Sequence, residues 1–256
     1  MNSKNITFKN KNGLSLSARI DEPDSGEVRS TLLFAHCFTC GKNLKALGHI
    51  SRALTDMGIG VFRFDFTGLG QSEGDFSDST FSGDVQDLVS AAEYMDENWM
   101  APSILMGHSL GGAAVLQAAS KINSSKAICT IGSPCSPQHV QHLMSESLDE
   151  IHEKGEAEVS LAGRKFKIKK TFIDDLDEQR MDNLIKNLNK ALLIFHSPVD
   201  ETVSIDNAAH IYKLARHPKS FISLDDADHL LSKTEDADYT GKVTAAWAER
   251  YFTQSK

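Results

Sequence analysis

Ile104-Leu105-Met106-Gly107-His108-Ser109-Leu110-Gly111-Gly112-Ala113-Ala114-Val115 decides how the rest of the chain is read. A short apolar run, long enough for a buried strand, meets a glycine-flanked serine and then a helix-forming stretch without a break. Gly107-His108-Ser109-Leu110-Gly111 fits the G-x-S-x-G pattern, whose mechanics require that strand–turn–helix context. A serine at such a bend projects its hydroxyl clear of the sheet. It also stands at a helix N-terminus, where unpaired N–H groups favour developing negative charge.

Outward from this point the chain alternates. Thr31–Ala35, Ile59–Phe64, Ile104–Gly107, Ala127–Ile131, Ala191–His196 and Ser220–Leu224 are continuous apolar runs, as expected of parallel strands buried on both faces. Amphipathic segments of helix length separate most of them, at Leu44–Met57, Phe81–Asn98, Gly112–Lys121, Asp206–Ala215 and Asp236–Phe252. Strand alternating with helix predicts an α/β protein with a mostly parallel, doubly wound sheet. Before it, Ile6–Phe8 and Leu14–Ala18 alternate about Lys11-Asn12-Gly13 like a hairpin.

One interval breaks the rhythm. Between Ile131 and Ala191 the chain is too long for a simple crossover. Glu158–Leu161 and Arg164–Lys169 alternate around Ala162-Gly163 as a second hairpin, flanked by helical patterns at Gln138–Lys154 and Phe172–Asn189. We expect residues 1–256 to form a single domain with a lid insertion over about 137–190. The basic residues Arg164, Lys165, Lys167, Lys169 and Lys170 could draw anionic esters, although alternation with Phe166 and Ile168 more simply gives one wet face.

A serine hydroxyl needs a base to take its proton. With the serine after a strand in this way, chain order places the acid next and the histidine last, each on a loop after a strand. His229 follows the last expected strand, and Asp200 ends the turn after Ala191–His196, with Glu201 as its rival. His36, His108 and His196 also lie near strand ends, and we expect His36, Cys37 and His108 to line the substrate pocket. His142, His152 and His217 read as solvated, as do Asp225, Asp226 and Asp228. The loop His36–Gly41 is placed to supply a second backbone donor, so Phe38 and Leu110 are the expected oxyanion pair.

The net charge of −8 argues against nucleic acid and anionic membranes as partners. No apolar run reaches the length of a membrane span, and no leader pattern is visible, so a cytoplasmic setting is expected. The four cysteines, Cys37, Cys40, Cys129 and Cys135, make no small-scaffold disulfide pattern. Cys37 and Cys40 match C-x-x-C but lack a second pair for zinc, and we read them as small packing residues. No cofactor or metal is expected.

Taken together, the loop from Phe34 to Gly41, Phe64–Phe76, Met106–Gly112 and Ser223–Leu231 resemble the bacterial α/β-hydrolase domain often fused in front of an OsmC-type thiol peroxidase domain. The likeness runs over nearly the whole chain. It implies an α/β-hydrolase fold and a carboxylesterase-like serine hydrolase with Ser109, Asp200 and His229 as triad, and an OsmC-type domain or protein as partner. Asp65–Ser72 resembles the D-x-R-G-x-G-x-S turn of that superfamily, with Thr67 in place of the arginine and Gly68 and Gly70 as turn-formers. The expected activity is cleavage of small-molecule carboxylic esters through an acyl-enzyme. Thioester, peptide or amide cleavage and perhydrolysis use the same triad. A non-catalytic binding domain and a redox role for Cys37 and Cys40 beside a peroxidase are the more distant alternatives.

Overall fold

A computed structural model describes residues 1–161 and 163–252. In chain order the elements are β1 (Asn2–Lys9), β2 (Ser15–Glu22), β3 (Ser30–Ala35), α1 (Lys45–Thr55), β4 (Ile59–Phe64), α2 (Phe81–Asn98), β5 (Ile104–His108), α3 (Leu110–Ala118) and β6 (Ala127–Ile131). They continue with α4 (Leu148–Lys154), β7 (Glu156–Leu161), β8 (Arg164–Lys169), α5 (Lys170–Glu178), α6 (Met181–Lys186), β9 (Ala191–His196), α7 (Asp206–Leu214), β10 (Lys219–Ser223) and α8 (Thr234–Ala248).

The main sheet has eight strands in the order β1-β2-β4-β3-β5-β6-β9-β10. From β4 to β10 the pairings are parallel, and the β1–β2 hairpin adds antiparallel to β4. Strands β3, β4, β5, β6 and β9 are buried along their whole length, which explains their unbroken apolar runs. The helices cover both faces. On one, α1 and α8 pack over Leu32, Val61, Ile104 and Leu193. On the other, α2 and α3 cover Leu33, Phe62, Leu105 and Ile128.

Burial on both faces fails for the last strand. β10 is a half-exposed edge, with Phe221 40% accessible. Its β-branched and aromatic residues suit a strand, but with β9 on one flank only it carries less of the core.

Between β6 and β9, the expected helix over Gln138–Lys154 divides into a 3-10 segment, Pro137–Ser147, and α4. Phe172–Asn189 likewise divides into α5 and α6. β7 and β8 form a separate antiparallel pair, Glu156 opposite Lys169 and Leu161 opposite Arg164. Ala162, expected in its turn, lies outside the described residues. No described helix is long and apolar enough to cross a membrane.

Candidate active site

β5 delivers Ser109 to the head of α3 with φ 55° and ψ −126°, a backbone state that costs a non-glycine residue energy and needs strong surrounding constraint. The constraint is visible. The Ser109 N–H donates to Ile131 O at 2.8 Å, and the Gly112 N–H donates to Ser109 O at 2.8 Å. The flanking glycines are required for space. A Cβ on Gly107 would stand 2.2 Å from Gly111 O, one on Gly111 2.4 Å from His36 O, and one on Gly112 2.5 Å from the Ser133 side chain.

Three loops from distant parts of the sequence converge on this serine. His229 Nε2 lies 3.0 Å from Ser109 Oγ, and His229 Nδ1 lies 2.8 Å from Asp200 Oδ2. The bond to the carboxylate places the proton on Nδ1, which leaves Nε2 to accept from the serine hydroxyl. Asp200 Oδ1 accepts from the N–H groups of Thr202 and Val203, each at 2.9 Å. Burial pushes the Asp200 carboxyl up, but the His229 and backbone bonds prevail and hold it below its ordinary value. Gly132, at φ 52°, leaves the room this pair occupies: a Cβ there would come within 3.1 Å of Asp200 Oδ2 and 3.3 Å of His229 Nδ1. Glu201, the alternative acid, is exposed.

The histidines at strand ends have a different task from the one expected. His36 Nδ1 donates to Cys37 O at 2.8 Å, His108 Nε2 to His229 O at 2.6 Å, and His196 Nε2 to Val203 O at 2.7 Å. All are buried; the rings of His108 and His196 tie carbonyls of two site loops to strand ends, and that of His36 braces its own loop. Burial lowers all of them below the usual imidazole value, His108 to about 3, so they are neutral. His36 and His108 therefore do not line the main cavity; of the residues expected there, Cys37 does.

That cavity, about 800 Å³, opens over Ser109 and His229. Phe38, Leu110, Val140, Leu161, Val203 and Leu230 give it a mostly apolar wall. His142, expected to be solvated, is exposed at its rim beside His139. The N–H groups of Phe38 and Leu110 meet no acceptor among the described residues.

Two features of the loop after β3 escaped sequence reasoning. Cys37 and Cys40 are joined in a disulfide, not merely packed, while Cys129 and Cys135 are free. The C-x-x-C spacing permits the bond, but the same spacing serves thiols and metals equally well. Below the loop, Lys42 Nζ reaches Asp65 Oδ2 at 2.5 Å, with side chains 2% and 3% accessible. Asp65 Oδ1 also accepts the Lys42 N–H at 2.7 Å, and Oδ2 the Gln71 N–H at 3.0 Å. Gly70 is needed here, since its Cβ would meet the Asp65 carboxyl at 2.3 Å. Thr67, which replaces the arginine of the turn, bonds Asp87 through its N–H at 2.9 Å and its hydroxyl at 2.7 Å.

Residues 26–179 match the family described as serine aminopeptidase, S33. The esterase domain of a Rhodothermus marinus protein is 46% identical, with 99% of this chain and 100% of that one covered and a TM-score of 0.81. Est1E of Butyrivibrio proteoclasticus, solved with ferulic acid, superposes with a TM-score of 0.78 over 94% of this chain and 98% of its own, at 20% identity, a likeness of fold. The uncharacterised protein YfhR of Salmonella typhi is 23% identical over 89% of this chain and 75% of its own length. The fold is that of the α/β-hydrolases.

Proposed function

The chain belongs to the serine aminopeptidase S33 family of α/β-hydrolases, and from that premise we propose that it is a serine esterase acting on small carboxylic esters through an acyl-enzyme. The observation that carries this reading is the unbroken relay Ser109–His229–Asp200, at 3.0 and 2.8 Å.

Ser109 Oγ attacks the ester carbonyl while His229 Nε2 takes its proton, and Asp200 stabilises the imidazolium. The carbonyl oxygen, now an alkoxide, is received by the N–H groups of Phe38 and Leu110. Collapse expels the alcohol, which carries off the proton from His229. Water then attacks the acyl-serine with His229 again as base, and release of the acid restores Ser109. Residues 137–190 act as a lid whose apolar side chains fix the length of acyl group accepted.

Ester cleavage is preferred to the aminopeptidase activity in the family's description for a physical reason. Holding a substrate's terminal ammonium calls for a carboxylate with a free face. Asp65 is the carboxylate that lines the cavity, and Lys42 already neutralises it. The relative from Rhodothermus marinus, described as an esterase domain, supports the same choice.

The test is hydrolysis of p-nitrophenyl butyrate by the whole chain and by Ser109→Ala, with labelling of Ser109 by a fluorophosphonate. We expect Ser109→Ala to lose at least about four orders of magnitude in kcat and all labelling. Turnover that survives the substitution would overturn the proposal.

A further inference from the structure

The hairpin β7–β8 and the first residue of α5 bear a row of cations, and the structure separates one from the others. Lys165 pairs with Glu158 at 2.6 Å, Lys167 with Glu156 at 2.8 Å, Lys169 with Asp78 at 2.5 Å and Lys170 with Asp174 at 2.6 Å. Arg164 has no carboxylate partner among the described residues, and it lines the cavity that holds Ser109.

Arg164 is also the member of the row that touches the site loop. Its Nη2 donates to the carbonyl oxygen of Thr39, the residue after Phe38. Its guanidinium carbon sits 5.1 Å from the Phe166 ring centre, a cation–π contact that holds the group in place. A guanidinium has five N–H donors in a planar fork. Thr39 takes one, and no other described group takes the rest.

The charge of the cavity wall agrees. Although the chain carries −8, Asp65 is the carboxylate on that wall, and Lys42 cancels it. Gln71 lines the same cavity with its Oε1 occupied by Lys42 Nζ at 3.0 Å, so its amide presents its donor end. The chamber is thus mostly apolar, free of net negative charge, and equipped with one cation that has no carboxylate partner among the described residues.

On the reading of the site as a serine esterase, we propose that Arg164 is a specificity residue that binds a carboxylate carried by the substrate, so that the preferred esters are anionic. A planar carboxylate fits the fork in two-pronged fashion, which a lysine at the same place would not match. The carboxylate lies on the acyl half or on the alcohol half of the ester, and the experiment separates these.

Two matched pairs are assayed at low salt with the whole chain, Arg164→Gln, Arg164→Lys and Ser109→Ala. The acyl pair is p-nitrophenyl hydrogen adipate and its methyl ester; the alcohol pair is the butyrate of 4-hydroxybenzoate and of methyl 4-hydroxybenzoate. We expect the native chain to favour the carboxylate member of one pair by about tenfold or more in kcat/KM, mainly through KM. That preference disappears in Arg164→Gln, returns in part in Arg164→Lys and shrinks as salt is added. A native chain with no preference in either pair overturns the proposal. So does an Arg164→Gln variant that slows both members of each pair equally, for then the side chain only ties the hairpin to Thr39. Ser109→Ala reports separately: hydrolysis surviving there refutes the serine mechanism, whatever the pairs show.

Discussion

His108 Nε2 donates to the main-chain oxygen of His229 at 2.6 Å, so the residue just before the nucleophile holds the backbone of the base. The rings also lie against each other, with centres 4.9 Å apart. Through this bond the elbow and the last loop are joined directly, beside the 3.0 Å approach of His229 to Ser109.

His108→Ala should therefore lower kcat by about a hundredfold while KM changes little, because a misplaced base slows chemistry more than binding. His108→Gln can still donate to the carbonyl and should recover part of the loss. Steady-state kinetics on p-nitrophenyl butyrate check both, and equal rates for Ala and Gln would count against the tether.

Acid should weaken the fold through the same rings. For His108, folding lowers the pKa from 6.5 to about 3, so the unfolded chain binds the proton first. The stability from its neutral form is complete above 6.5 and is lost as pH falls towards 3, with His36 and His196 shifted in the same direction. Asp84 and Asp87, raised by burial, oppose this trend. The measurement is therefore a difference: Tm should fall less between pH 7 and 5 in His108→Gln than in the native chain.

Lys42→Met should cost about 3–5 kcal/mol in urea unfolding, because it strands the buried Asp65 carboxylate without its partner. The same change should reduce activity even where the protein is folded, since Lys42 and Asp65 anchor the loop that bears Phe38. A loss below about 1 kcal/mol would place the pair among ordinary surface ion pairs.

Thiol titration in denaturant without reductant should find two reactive groups, Cys129 and Cys135, and four after reduction. Four before reduction would show that Cys37 and Cys40 are thiols in solution.

The parts of this molecule legible in its sequence are those that repeat or that follow from chain order. Runs such as Ile104–Met106 report burial on both faces, and position after a strand pointed to His229, which lies against Ser109, and to Asp200, which bonds His229. What stayed hidden depends on direction and not on spacing. A histidine before the nucleophile looks the same whether its ring enters the cavity or reaches back to a carbonyl, as His108 does. Lys42 and Asp65 stand on different loops with no period between them, and only folding reveals that they are buried together. Arg164 shared its alternation with the hairpin lysines, and only folding shows that they hold carboxylates while it lines the cavity.

The glycines around Ser109 have a consequence for descent. Gly107, Gly111 and Gly112 each stand where one added carbon would strike a neighbour, so this corner has almost no viable single-step variants. Arg164 belongs to a different stretch of chain, where it is exposed at the turn end of the β7–β8 pair and its replacement meets no such obstacle. A lineage built this way can change its diet while its chemistry stands still.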